Sequence, residues 1–117
     1  MLEIRQRKID QEIVVLQLAG RLIMGRPCQD LEAEVTEMVA GTVRKLILDL
    51  SEVARVDSTG LSMIVTCFRK LKDAGGELRV AGARRVVEQM VRAANISRIV
   101  AFYPTVEEAA AGFAVPS

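Results

Sequence analysis

Arg55-Val56-Asp57-Ser58-Thr59-Gly60-Leu61 is the stretch that decides how this chain folds. Upstream of it, Leu46 to Leu50 is apolar apart from Asp49 and reads as a central strand covered on both faces. Downstream, Leu61, Ile64, Val65, Phe68 and Leu71 recur at helical spacing, so a helix runs from Ser58 or Thr59 to the region of Asp73. The quoted residues are the hand-over from strand to helix. They bring one carboxylate and two hydroxyls to the positive end of a helix dipole, where backbone N–H groups lack partners. The plainer reading is a helix cap, since Asp, Ser and Thr are all favoured there. The sharper one is a site, because open α/β sheets meet ligands and partners at such loops.

Toward the N-terminus, Ile13 to Ala19 alternates, with Val14, Leu16 and Leu18 on one face and Ile13, Val15 and Gln17 on the other. Leu2 to Ile9 reads as an edge strand, paired with it as a hairpin through a turn at Asp10-Gln11. Gly20 is expected to end the second strand. Residues 21–26 then form a loop carrying Ile23 and Met24, apolar where polar residues are the default; they either tuck under the next helix or stay exposed. Pro27 suits the first turn of that helix, Leu31, Val35, Met38 and Val39 form its stripe, and Gly41 suits its end. Residues 51–56 read as the loop before the motif.

Toward the C-terminus, Gly75-Gly76 ends the motif helix and Glu77 to Ala81 is a short strand. Val86, Val87, Met90, Val91 and Ala94 form the stripe of a third helix, with Arg84, Arg85 and Arg92 on its polar side. Asn95 suits its C-terminal cap, with Ile96 closing over it. Ile99 to Phe102 reads as a fifth strand broken by Pro104. Thr105 then caps a last helix bearing Val106, Ala109, Ala110 and Phe113, and residues 114–117 read as a frayed tail.

The order is β-β-α-β-α-β-α-β-α, an α/β chain with a mostly parallel mixed sheet and an N-terminal antiparallel edge strand. Its length, 117 residues, suits a single domain over 1–117. Strand-to-helix loops in such a sheet share one end, so residues 20–26 and 57–60 are expected side by side.

Composition narrows the function classes. The chain has 16 basic and 15 acidic residues, a net charge of +1, which gives no general drive toward nucleic acid or an anionic membrane. It has no His and no Trp, so the commonest general base and the commonest metal ligand are missing. Cys28 and Cys67 form no CxxC pair and, without His, no zinc site. There is no GxxxxGK[ST] or GxGxxG turn. No catalytic constellation, metal site or cofactor is expected. Cys28, near a helix start, is the one thiol that a helix dipole would acidify, whereas Cys67 reads as a half-buried packing residue. The charged start of the chain lacks a signal-peptide core, no apolar run reaches membrane-spanning length, and the free cysteines suit a reducing cytoplasm.

Over residues 13–112 the chain resembles the STAS domain family, of the anti-sigma factor antagonist type. The resemblance is carried by Leu18-Ala19-Gly20-Arg21-Leu22, Leu48-Asp49-Leu50, Val56-Asp57-Ser58-Thr59-Gly60-Leu61, Gly75-Gly76-Glu77-Leu78 and Ala94-Asn95-Ile96. It implies a non-catalytic protein that binds an anti-sigma factor serine kinase while unphosphorylated. It also implies phosphorylation at Ser58 and restoration by a serine phosphatase. The partner surface expected around Ser58 is Ile23, Met24, Asp57, Thr59 and Gly60. Many phosphorylated members carry an acidic residue at the position of Ile23, so an apolar partner surface is the alternative there. The family also includes subunits of stress-signalling assemblies, accessory subunits of lipid transport complexes and domains of anion transporters; a non-phosphorylated scaffold of the first two kinds is the second expectation.

The residues themselves support a switch at Ser58. A phosphate there would add a charge of about −1.5 to −2. The helix start can hold that charge, while a partner packed against the surface would be expelled. Gly60, without a side chain, permits close approach either of a partner or of the neighbouring strand.

Overall fold

The computed structural model describes residues 2–10 and 12–113. The elements follow in the expected order: β1 (Leu2–Lys8), β2 (Ile13–Leu22), α1 (Arg26–Ala40), β3 (Lys45–Val56), α2 (Ser58–Asp73), β4 (Glu77–Ala81), α3 (Arg85–Ala93), β5 (Phe102–Tyr103) and α4 (Val106–Phe113). A short 3-10 turn, Ile96–Arg98, lies between α3 and β5. The five strands stand in sequence order in one sheet. β1 pairs with β2 antiparallel and every later pairing is parallel.

That topology dictates the layers. Each crossover advances one strand in the same direction, and right-handed connections then place α1, α2 and α3 on one face. Their stripes (Leu31 and Val35, Ile64 and Leu71, Val87 and Val91) close over Val14, Leu16, Leu18, Leu46, Leu48 and Leu50. α4 follows the last strand and covers the other face, where Val106 and Ala109 pack on Ile13, Val15, Ile47 and Ala81. Arg79 of β4 pins it there. Its guanidinium lies 5.3 Å from the Tyr103 ring and 4.3 Å from the Phe113 ring, donates to the Ala109 carbonyl, and is paired with Glu77. Asp49, the interruption in the central run, is buried and accepts the Ser51 amide at 3.0 Å, so its burial does not leave it without a partner.

Several boundaries differ from those read in the sequence. Gly20 does not end β2, and residues 51–56 are strand rather than loop. The two strands continue together, Gly20 opposite Val53 and Leu22 opposite Val56. Two register shifts, between Gln17 and Ala19 and between Gly20 and Arg21, break the period-two pattern, and Gly20 takes φ 112. Val53 and Val56, three apart, both reach the core as a result. At the other edge, the 3-10 turn ends at Arg98, and of the fifth strand expected from Ile99 to Phe102 only Phe102 is strand, in a β5 that is shorter and later; Ile99 is exposed. In α3, Val87 and Val91 are buried and Val86 is exposed; Ala94, expected in the same stripe, lies just past the helix end and is exposed. Asn95 does adopt the left-handed conformation, φ 59, that ends the helix. Gln11 of the expected turn and the expected tail at 114–117 lie outside the described residues.

Ile64 is 0% exposed between the sheet and the neighbouring helices. Truncation to Ala should lower stability by about 2–5 kcal/mol in urea unfolding; a change below about 0.5 kcal/mol would contradict the placement of the motif helix.

Candidate functional site

α2 starts at Ser58 because Asp57 caps it. Asp57 is extended (φ −102, ψ −177), and its Oδ1 accepts the Gly60 N–H at 2.8 Å. Its carbonyl accepts the Leu61 N–H at 3.0 Å, the first bond of the helix. The second carboxylate oxygen does something a cap alone does not require: Oδ2 accepts the Met24 N–H at 2.9 Å, from the loop after β2. The Asp57 N–H donates to the Leu22 carbonyl at 3.4 Å. The two loops expected side by side are thus bonded to each other through one residue.

Gly60 completes the junction. A Cβ there would lie 2.9 Å from Val56 Cγ1 and would run into the Leu22 carbonyl. Of the two uses the sequence left open, the structure shows close packing within the fold. Gly60 is buried and is not surface for a partner backbone. Asp57 likewise uses both carboxylate oxygens for bonds within the molecule. The surface itself is made by Ser58, which is exposed at the first helical position, and by Met24, which is 71% exposed. Ile23 and Thr59 are half-buried beside them.

The electrostatics follow from these bonds. The Met24 amide first, and the Gly60 amide second, hold the Asp57 carboxyl below its ordinary value; desolvation acts the other way and is outweighed. The expectation of an acidified Cys28 is overturned. Cys28 is buried, burial pushes its thiol up, and the negative charge of Asp57 pushes it further. Cys67 is fully buried rather than half-buried, and burial, followed by Glu32, pushes it up to about 12. Both thiols stay protonated at neutral pH. Arg84, just before α3, donates to the Ser51 carbonyl, and Arg92 pairs with Glu88. Among the described residues, no group of three or more His, Cys, Asp or Glu is placed to hold a metal, and no helix is long and apolar enough to cross a membrane.

The role of the Leu22 carbonyl and the pairing of Arg21 with Arg55 escaped sequence reading. Both depend on the continued strands, whose bulges hide the alternation.

Because the native carboxyl of Asp57 titrates below its unfolded value of about 3.9, its contribution to stability is present above that pH and is lost as pH falls through the native value. The Tm gap between wild type and Asp57→Asn should therefore be constant near neutrality and shrink below about pH 4. A gap independent of pH down to acid unfolding would mean that the charge of the carboxylate does not matter.

Comparison with known proteins agrees with this architecture. The STAS domain family model matches residues 5–109. A candidate anti-sigma factor antagonist of Thermotoga maritima is 34% identical over 65 residues, 56% of this chain and 58% of that protein. The match thus spans well under two-thirds of that relative's length. The crystal structure of a candidate anti-sigma factor antagonist from Thermotoga maritima superposes with a TM-score of 0.85 at 25% identity, covering 93% of this chain and 92% of the other. The Bacillus cell fate determinant SpoIIAA in its phosphorylated form superposes with a TM-score of 0.73 at 18% identity, covering 95% and 99%. The sheet order, the crossovers and the Asp57–Gly60 junction all stand within the matched residues, and the chain belongs to the STAS domain family.

Proposed function

We propose that this protein is an anti-sigma factor antagonist, a protein-binding switch whose phosphoacceptor is Ser58. Unphosphorylated, it docks an anti-sigma factor serine kinase through Ser58, Met24, Ile23 and Thr59. Phosphorylation of Ser58 ends the contact, and a serine phosphatase restores it. The observation that carries this reading is the exposed Ser58 hydroxyl beside an exposed Met24, on backbone locked from below by Asp57. An apolar side chain that is 71% exposed is suited to burial by a partner. A hydroxyl at its margin is where a doubly charged group does most damage to that burial. Similarity to a candidate antagonist, and a shared fold with SpoIIAA, which has a phosphorylated form, support the same reading.

A second reading is a constitutive scaffold of the same fold, serving a lipid-transport or stress-signalling complex. It is favoured by Ile23, which adds apolar surface where an acidic residue stands in many phosphorylated members.

The Ser58 pair of substitutions separates the two. Ser58→Ala should cost at most about 1 kcal/mol of stability, since Asp57 still caps the helix. It should bind the kinase and ignore ATP. Ser58→Asp should melt within a few degrees of wild type, yet bind at least tenfold more weakly, a loss of about 1.4 kcal/mol. If Ser58→Asp binds as tightly as wild type by calorimetry, the switch reading fails and the scaffold stands.

Ile23→Asp tests the partner's chemistry. With an apolar contact it should weaken binding by about 1–3 kcal/mol. Unchanged or tighter binding, with phosphorylation kept or raised, would remove Ile23 from the docking surface.

A further inference from the structure

The continuation of β2 and β3 sets Arg21 beside Arg55 as register partners on neighbouring parallel strands. The next residues, Leu22 and Val56, turn into the core beneath the helices. Side chains alternate along a strand, so the two guanidiniums stand on the opposite face. α4 covers that face farther along, over Ile13, Val15 and Ile47. At the arginines the face is open, and both are exposed.

Among the described residues, neither arginine makes an ion pair. Glu52 is engaged by Gln17 at 3.2 Å, and Asp57 holds the Met24 and Gly60 amides. Four other arginines take acidic neighbours, Arg5 with Glu3, Arg26 with Asp30, Arg79 with Glu77 and Arg92 with Glu88, while among the described residues Arg7, Arg69, Arg85 and Arg98 do not. Among the described residues, Arg21 and Arg55 have no such partner. Like charges side by side on paired strands weaken a sheet. The same juxtaposition presents an incoming anion with two planar forks at once. The bulge at Gly20 sets this pairing, and bulges commonly re-aim a side chain next to a site.

We propose that Arg21 and Arg55 together receive an acidic segment of the protein partner that docks at this end of the sheet. The inference rests on the reading that a protein docks beside Ser58. Arg21 lies three residues before Met24 and Arg55 three before Ser58, so one partner reaches both surfaces. Adjacent strands are about 4.8 Å apart, a spacing at which each guanidinium takes its own carboxylate from an acidic run.

The probe is a hexaglutamate peptide, with hexaglutamine as control, titrated into the isotope-labelled full chain while the arginine side-chain N–H resonances are followed. Hexaglutamate should shift Arg21 and Arg55, leave the exposed Arg7 and Arg69 in place, and lose affinity as salt rises. The double variant Arg21→Gln, Arg55→Gln should bind at least about tenfold more weakly. Its Tm should equal or exceed that of wild type by up to about 4 °C, because the repulsion is gone. Equal shifts at all exposed arginines would overturn the proposal. So would equal shifts of the pair with inorganic phosphate at matched ionic strength, or a lowered Tm in the double variant. Hexaglutamate contains nothing of the kinase, so the two readings fail separately. A kinase indifferent to Ser58→Asp removes the switch while peptide binding still stands. Absence of peptide binding removes the arginine receptor while the switch still stands.

Discussion

One carboxylate ties this end of the molecule together. Asp57 accepts two backbone amides from different elements, Gly60 at the start of α2 and Met24 in the loop after β2. An amide side chain of the same size offers one acceptor oxygen and a nitrogen that only donates, so it leaves one of the two amides without a partner. The loop that carries Ile23 and Met24 therefore sits at a height fixed by the first turn of α2. Ser58 is next in the chain and is held in the same frame. Its exposure is a consequence of where Asp57 must point.

A steric constraint works alongside the electrostatic one. The start of α2 lies so close to the end of β2 that no side chain fits at Gly60 against the Leu22 carbonyl. That approach requires β2 to run on to Leu22 and β3 to run on to Val56, which the bulges allow. The candidate surface thus rests on a packed floor of Leu22, Val56 and Leu61, all buried. A phosphate added above such a floor meets backbone N–H groups and a helix dipole rather than a core it must open. In the proposed switch, what changes is the charge of the surface, and the fold beneath serves as a rigid base.

The sequence made much of this legible, for identifiable reasons. Ser58 as the start of α2 was readable because Asp57 is a strong cap and Leu61, Ile64 and Leu71 keep helical spacing. β4 was readable because Gly75-Gly76 and Gly82 bracket it. The ends of β2 and β3 were not, since a bulge inserts a residue and Val53 and Val56 then fall three apart, a spacing that does not resemble a strand. The dual role of Asp57 was hidden because its second partner is 33 positions away. Cys28 misled because a place near a helix start suggests an acidified thiol, whereas burial and the neighbouring Asp57 charge push the other way. Val86 and Ala94 are exposed although they suit the stripe of α3, because Val87 and Val91, four apart, take the buried side of the helix and Ala94 lies past its end.

The proposed switch is a local change of charge over an unmoved base, and amide hydrogen exchange tests this most directly. The chain is prepared with phosphoserine at Ser58, and the exchange of the Met24 and Gly60 amides is compared with that of the unmodified chain. Both amides should remain protected to within about threefold, because Asp57 keeps both bonds while the phosphate binds above them. Exchange of either amide at the rate of an unstructured peptide would show that the phosphate displaces Asp57 and that the switch works by opening the junction.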